Sequence, residues 1–404
     1  YFQCWPLKPH SDVLDAIFDS EKMKCLASFQ DLYVGLEPYR NNKQFGGGVI
    51  KKTAPAVFSL LAALELHPDN KRSGVFAPIG GFRAVSQAFL SLAKENGVKI
   101  EFNAAVTGVS DTGVYCKKAH SSDKSPETKG SVEDTFVEAD LVIINADVPY
   151  AAKSLILSSD APVKTKLTEK IDWDDSYDYS SGVIAFHWSV DKRLDGLNTH
   201  NVFLSAKNRS DAEQSWNALR RDAKQRPIKD QAFSFENMDP FNFYVHRAPQ
   251  TDPTASPDDC DSIMVLVPTD VLVREDENAK LPKAIAIEKY KAQFSDDFID
   301  TVKKSVLTRL SVIESLAGLK NHILDEVVDT PASYADMYNL GAGATFGLSH
   351  GFGQLSLTRP SAAFFEKSHK NIMCVGASSR PGNGVPLVLI GAKSVAQMAI
   401  ERLK

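Results

Sequence analysis

The residues best suited to chemistry in this 404-residue sequence lie near its C-terminal end. Positions 371 to 386 read Asn-Ile-Met-Cys-Val-Gly-Ala-Ser-Ser-Arg-Pro-Gly-Asn-Gly-Val-Pro. Gly376, Gly382 and Gly384 carry no Cβ, so their backbone can come close to something flat or phosphorylated. Pro386 suits the first turn of a helix, where its missing N–H is not needed. Such a helix would turn its free amides and positive dipole end toward whatever lies in the turn. The same residues also make an ordinary tight strand-to-helix connection, and spacing alone leaves both readings open. Four titratable side chains are candidates for proton transfer, which requires a base within about 3 Å of the proton it takes. His187 and His246 sit mid-strand, His350 lies in a glycine-rich stretch, and Asp147 ends an apolar strand. Each has an equally simple structural role, and Asp147 could cap the helix that begins near Pro149. No Ser-His-Asp set or P-loop is visible, and no residue is singled out as catalytic.

Around these residues the pattern is of a mixed α/β chain. Ile372 to Val375 reads as a short buried strand, and Val385 to Leu403 as a helix. Ala139 to Asp147 is an apolar strand of the kind buried in a parallel sheet. It ends in Asn145-Ala-Asp147, where open α/β sheets place ligands. Positions 74 to 82 are an extended run into a double-glycine turn, Gly80-Gly81, followed by a helix that Gly97 ends. Positions 99 to 109 alternate as a strand through Ile100, Phe102 and Ala104. Further strands are expected at 113–119 and 134–138, with a polar hairpin tip at 120–134. Helical patterns cover 11–40, the stretch from Pro55 to His67, 150–157 and 162–171. Aromatic-rich strands at 181–191, 201–206, 241–248 and 262–269 form a second sheet. Long amphipathic helices at 283–317 and an extended stretch at 322–331 follow.

Composition narrows the class. Hydrophobic residues make up 43% and charged residues 24%, as expected for a globular protein with sizeable cores. The net charge of -5 and the absence of a basic run give no reason to expect nucleic acid. Cys4, Cys25, Cys116, Cys260 and Cys374 are scattered, odd in number and without metal-ligand spacing, so free thiols and no metal site are expected. No apolar run reaches the roughly 18 residues that span a bilayer. The first ten residues lack a signal-peptide pattern. There is no initiator Met, as expected if the chain begins inside a longer one.

Three stretches together resemble the bacterial- and fungal-type phytoene desaturases, FAD enzymes related to the amine-oxidase-like flavoproteins. They are Gly74-Val-Phe-Ala-Pro-Ile-Gly-Gly-Phe82, Ala139-Asp-Leu-Val-Ile-Ile-Asn-Ala-Asp147 and 371–391. The third carries the family's C-terminal signature in register: Asn371, Gly376, Ala377, Ser378, Ser379, Pro381, Gly382, Gly384, Val385 and Pro386. Gly347, Gln354 and Arg359-Pro360 also fall in matching places. The resemblance covers essentially the whole chain. Two departures stand out. Arg380 replaces the usual His or Thr, and would either pair with flavin carbonyls or phosphate oxygens or point to solvent. The family's opening strand and G-x-G-x-x-G turn, which holds the FAD pyrophosphate, is missing; Gly341 to Gly347 has the wrong spacing to replace it. The resemblance therefore implies a chain lacking the family's N-terminal part, and one that binds FAD poorly as given.

The fold it implies is α/β: an incomplete, discontinuous FAD-binding Rossmann-like domain with an interleaved substrate domain of mixed sheet plus helices. The expected division is 1–73 helical part of the substrate domain, 74–150 middle segment of the FAD domain, 151–365 substrate domain, and 366–404 C-terminal FAD segment. Expected cofactor contacts are Gly80, Gly81 and Val106 in the first block. In the second they are Gly376, Ala377, Arg380, Pro381, Gly384, Val385 and Pro386. The implied activity is desaturation of phytoene or a later carotene, with hydride passing to flavin N5. Phe186, Trp188, Phe203, Phe241, Phe243 and Tyr244 would either line an apolar polyene channel or pack in a sheet. Carotene cis–trans isomerisation and retinol saturation are alternatives on the same fold. A non-enzymatic isoprenoid binder of the Rab GDP-dissociation-inhibitor type is an alternative of another class. A lipid-dissolved substrate implies peripheral membrane contact.

Overall fold

The computed structural model describes residues 8–36, 38, 54–58, 76–118, 135–156, 177–217, 219, 241–272, 288, 291–351, 354 and 358–404. Most of the helix expected after Pro55, the polar tip at 120–134, the helix expected at 162–171 and the start of the 283–317 helices lie outside the described residues.

In chain order the regular elements are α1 (His10–Ile17), α2 (Glu21–Ser28), α3 (Gly81–Glu95), β1 (Ala104–Ser110), β2 (Gly113–Lys118), β3 (Thr135–Glu138), β4 (Val142–Ile144) and α4 (Val148–Ser154). Then come β5 (Gly182–Val190), β6 (His200–Phe203), α5 (Arg209–Asn217), β7 (Phe243–Arg247), β8 (Asp261–Thr269), α6 (Asp296–Leu310), β9 (Ile323–Asp329), α7 (Pro331–Tyr338), β10 (Ile372–Cys374) and α8 (Val385–Arg402). They fall into two compact units, each assembled from two separated stretches. One unit comprises 1–90 and 179–345, the other 91–178 and 346–404. The boundaries lie at 90, 178 and 345, beside 73, 150 and 365 in the division expected from the sequence.

The first unit is built on a five-stranded antiparallel sheet in the order β6-β7-β8-β5-β9. Alternation along β5 sends Ile184, Phe186, Trp188 and Val190 to one face, where all are buried. α6 covers that face with Phe298, Val302, Val306 and Leu310, spaced four apart so that they lie along one side of the helix. Ser295 caps α6 by accepting from the Phe298 amide at 3.4 Å, with Asp296 and Asp297 in the first turn complementing the dipole. The aromatic candidates are settled by this packing. Phe186, Trp188, Phe241 and Phe243 belong to the core, and Phe203 stacks on Phe243 at 4.5 Å. Tyr244 points to the opposite face, into a smaller cluster with Cys25, Phe29 and Trp216.

The second unit holds a three-stranded antiparallel sheet, β1-β2-β3, and a parallel pair, β4 with β10. The register pairs Ile372 with Val142, Met373 with Ile143 and Cys374 with Ile144. Val142, Ile144, Ile372 and Cys374 pack with Val148, Ala151 and Leu155 of the α4 segment. Burial pushes the Cys374 thiol up to about 12, so it behaves as an apolar side chain rather than a nucleophile. Met373 faces the other way, onto Val395 and Ala399 of α8.

One expected strand is shorter than its pattern. The alternation from Lys99 predicts extension through Phe102, but β1 starts at Ala104. Asn103 has φ 55°, a left-handed conformation that interrupts an extended run. The 341–347 stretch forms a short 3-10 turn at Gly341–Gly343, with no Rossmann-type strand leading into it.

Candidate functional site

The turn after β10 is fixed by a group of buried polar residues, all within the second unit. Val375 continues the parallel pairing through its amide to the Ile144 carbonyl at 2.9 Å. The chain then turns at Gly376, whose φ is 108°. A Cβ on Gly376 would overlap the Asn145 side-chain oxygen, so glycine is required for both conformation and space. Ser378 donates its hydroxyl to Asp147, and both residues are buried. Asp147 stands at the N-cap position of α4, yet its carboxylate makes no capping bond to that helix; it turns to the glycine turn instead.

Arg359 lies beneath the same turn with 1% of its surface exposed. Its guanidinium donates to the carbonyls of Leu348 at 3.1 Å, Ser349 at 2.8 Å and Ala377 at 2.7 Å. Desolvation pushes the Arg359 pKa down to about 10, while Asp147 and then Tyr177 pull it up, so it is a buried cation at neutral pH. Burial raises the Tyr177 phenol, and the charges of Arg359 and Arg380 oppose that rise. Gln354 completes the floor. Its amide donates to the carbonyls of Asp178 at 2.8 Å and Ser349 at 3.1 Å, and its oxygen accepts from the Asp178 amide.

The second half of the turn is equally constrained. Arg380 is exposed, and its Nε donates to the Arg359 carbonyl at 3.0 Å. The Arg380–Pro381 peptide is cis. Gly382, at φ 141°, packs so closely on His350 that a Cβ would overlap the imidazole. His350 is therefore buried under the turn. Asn383 donates to the Phe346 carbonyl at 3.0 Å. Gly384 has φ 93° with open space where a Cβ would stand, and it has no side chain to cap the first amides of α8. Val385, Leu389 and Ile390 follow as exposed apolar residues.

The remaining sequence candidates are placed as follows. Gly376, Ala377, Arg380, Pro381, Gly384, Val385 and Pro386 lie along this one connection. Val106 is half-exposed in β1, opposite Cys116, where the register shifts at a bulge. Gly80 and Gly81 belong to the first unit, and both have positive φ. The Gly80 amide donates to the Asp252 carboxylate at 2.7 Å. The Thr254 hydroxyl, then the Gly80 and Thr254 amides and the Gly81 amide, hold that carboxyl below its usual range. A protein carboxylate thus occupies the position at which α3 offers its first amides.

His187 and His246 share one row across the five-stranded sheet. His200 pairs with His246, His246 with Met264, and Met264 with His187, so all four sit on the face opposite the core. His187 Nε2 lies 3.4 Å from the Asp329 carboxylate. Burial, and then the charge of His200, lower the His246 pKa. Among the described residues, no group of His, Cys, Asp and Glu could hold a metal ion. Arg359, Gln354 and Ser378 were not legible as a unit, because their partners are far away in sequence; the Arg-Pro and Ser-Ser pairs flanking β10 are the only local signal.

No protein-family model matches the chain. It is 30% identical over 387 residues to a phytoene desaturase of Neurospora crassa, covering 95% of this chain and 55% of that protein. It is 30% identical over 382 residues to a phytoene desaturase of Phycomyces blakesleeanus, covering 93% of this chain and 54% of that protein. Its fold is that of an oxidoreductase from Methanosarcina mazei, with a TM-score of 0.55 over 96% of this chain and 68% of that one, at 16% identity. The chain is similar to these phytoene desaturases over nearly its whole length, and it spans about half of theirs.

Proposed function

We propose that the polypeptide carrying this sequence is an FAD-dependent carotenoid desaturase acting on phytoene or a later carotene. The observation that carries the reading is the 376–386 turn. In a chain similar to phytoene desaturases, it is locked on buried polar side chains on one side and left open at Gly384 on the other.

The residues present fit a flavin. Gly384 leaves room for a flat ring to approach the backbone, and the open amides of α8 suit an electron-rich carbonyl edge. Asn383 Oδ1 and Arg359 Nε are buried without a hydrogen-bond partner among the described residues, so the pocket floor keeps one acceptor and one donor in reserve. Gly376, Ala377, Arg380, Pro381, Gly384, Val385 and Pro386 would hold the ring end. Bound flavin supplies a hydride acceptor, so that a carbon–carbon single bond can lose a hydride and a proton and become a double bond. The chain's own part is to hold the turn rigid through Asp147, Arg359 and Gln354, and to offer Val385, Leu389 and Ile390 as apolar cover that keeps water from the reacting carbon.

A substrate dissolved in lipid would be taken up at a membrane surface. No helix among the described residues is long and apolar enough to cross a membrane, so contact of this kind would be peripheral. Purification of the natural polypeptide tests the cofactor reading. Flavin absorbance should co-purify with it and bleach under anaerobic reduction. A colourless protein that takes up no added FAD would count against the desaturase and favour an isoprenoid binder. Sedimentation with liposomes tests the membrane reading, with recovery only in the soluble fraction as the contrary result.

A further inference from the structure

We propose that Arg359 is the positioning residue of this turn, and that its fixed charge raises the reduction potential of the flavin held there. The proposal rests on the flavin reading above. Apart from the exposed Arg380, the candidate contacts on the turn are backbone and small side chains, which supply geometry but little charge. Arg359 supplies both. Through the carbonyls of Leu348, Ser349 and Ala377 it ties two segments together that are otherwise irregular. The Ala377 carbonyl belongs to the turn itself, so its orientation, and with it that of the Ala377–Ser378 peptide, depends on the guanidinium. Arg380 then fastens onto the Arg359 carbonyl, so the outer side of the turn is fixed through the same residue.

The charge balance favours an electron-rich guest. Arg359 and Arg380 both act on the Tyr177 phenol, and Asp147 is the carboxylate that acts on Arg359. Asp147 is already engaged by Ser378. Asp178 also keeps a buried carboxylate oxygen at this floor, so the charge that matters is that of Arg359 itself, held against the turn by its bond to the Ala377 carbonyl. A buried cation cannot be screened by solvent as a surface one is. Charge placed beside a flavin tunes its electronics, and a positive charge stabilises the reduced, more anionic form over the oxidised one.

The test compares Arg359→Met with Arg359→Lys in the natural polypeptide. Three readouts are needed: unfolding midpoint, potential of bound FAD, and amide exchange at 376–379. Arg359→Met should lower the ratio of reduced- to oxidised-flavin affinity about tenfold, which is about 30 mV for a two-electron couple. It should also speed exchange at the turn. Arg359→Lys keeps the charge but not the fork of donors. Its potential should stay near wild type while exchange still rises. Equal potentials in wild type and Arg359→Met would overturn the electrostatic part, and unchanged exchange in both variants would overturn the positioning part. If Arg359→Met does not fold, Arg359→Gln, which also removes the charge, takes its place in all three readouts, with Arg402→Met as the surface control. If the wild-type protein takes up no FAD, the functional reading fails by itself, and exchange in the two variants still decides whether Arg359 holds the turn.

Discussion

Ser378 donates its hydroxyl to Asp147, joining the turn after β10 to the end of the loop after β4 across 231 positions of sequence. The two parallel strands are thus linked at their C-terminal ends by a side-chain bond as well as by their ladder. A buried acceptor that loses its donor costs about 1–3 kcal/mol. Ser378→Ala should therefore destabilise by about that amount. Asp147→Ala should cost more, because it also removes the counter-charge of buried Arg359. Urea unfolding of the two single variants and the double variant should give a coupling of about 0.5–3 kcal/mol. Strict additivity would show that the bond contributes nothing.

The three glycines of the turn should not be equivalent. Alanine at 384 meets open space and bears only the strain of a positive-φ extended backbone, of the order of 1–3 kcal/mol. Alanine at 376 must also displace Asn145, and alanine at 382 must displace His350. Unfolding midpoints should fall in the order Gly384→Ala, then the other two. A Gly384→Ala variant as unstable as Gly376→Ala would contradict the geometry. The same Gly384→Ala variant should lose flavin uptake out of proportion to its stability, since its Cβ fills the open side.

The double-glycine turn has its own pH signature. Asp252 holds the Gly80 amide, and its folded pKa lies below its unfolded value. Its contribution to stability is therefore present above the unfolded carboxylate value and is lost as pH falls through the folded one. Protection of the Gly80 amide, measured against its intrinsic exchange rate at each pH, should be high at neutral pH and fall only on the acid side. Asp252→Asn should remove that acid-side step. A Gly80 amide that exchanges at the same protected rate in the variant would show the contact to be idle.

Trp188 and Phe243 test the core against the site. Both are buried on the α6-facing side of the sheet, so Trp188→Ala should cost about 3–5 kcal/mol. The folded fraction that remains should keep wild-type flavin affinity. A stable Trp188→Ala protein with altered substrate preference would place this face in a channel instead.

What could be read from the sequence was local. The strand at Ile372, the glycines, and the helix at Val385 follow from spacing and from Pro386, and the structure forms β10, the turn and α8 there. The β5, β7 and β8 strands follow from alternation of Phe, Trp, Val and Ile. The shortened start of β1 does not, because a single left-handed Asn103 outweighs the alternation on either side of it. Nor do the Asp147–Ser378, Arg359–Ala377 and Gly80–Asp252 contacts, which depend on which distant strand end meets which turn. Asp147 shows the difference well. Its position before Pro149 suggests a helix cap, and only the parallel pairing of β4 with β10 brings Ser378 within reach.

The most direct test of the whole account is to give phytoene to the natural polypeptide loaded with FAD, without oxygen, and to follow the spectrum of one cuvette. Flavin bleaching in step with new conjugated-polyene absorbance is the predicted result. A polyene shift with no flavin bleaching would make the protein an isomerase, and no spectral change in either component would contradict the desaturase reading outright.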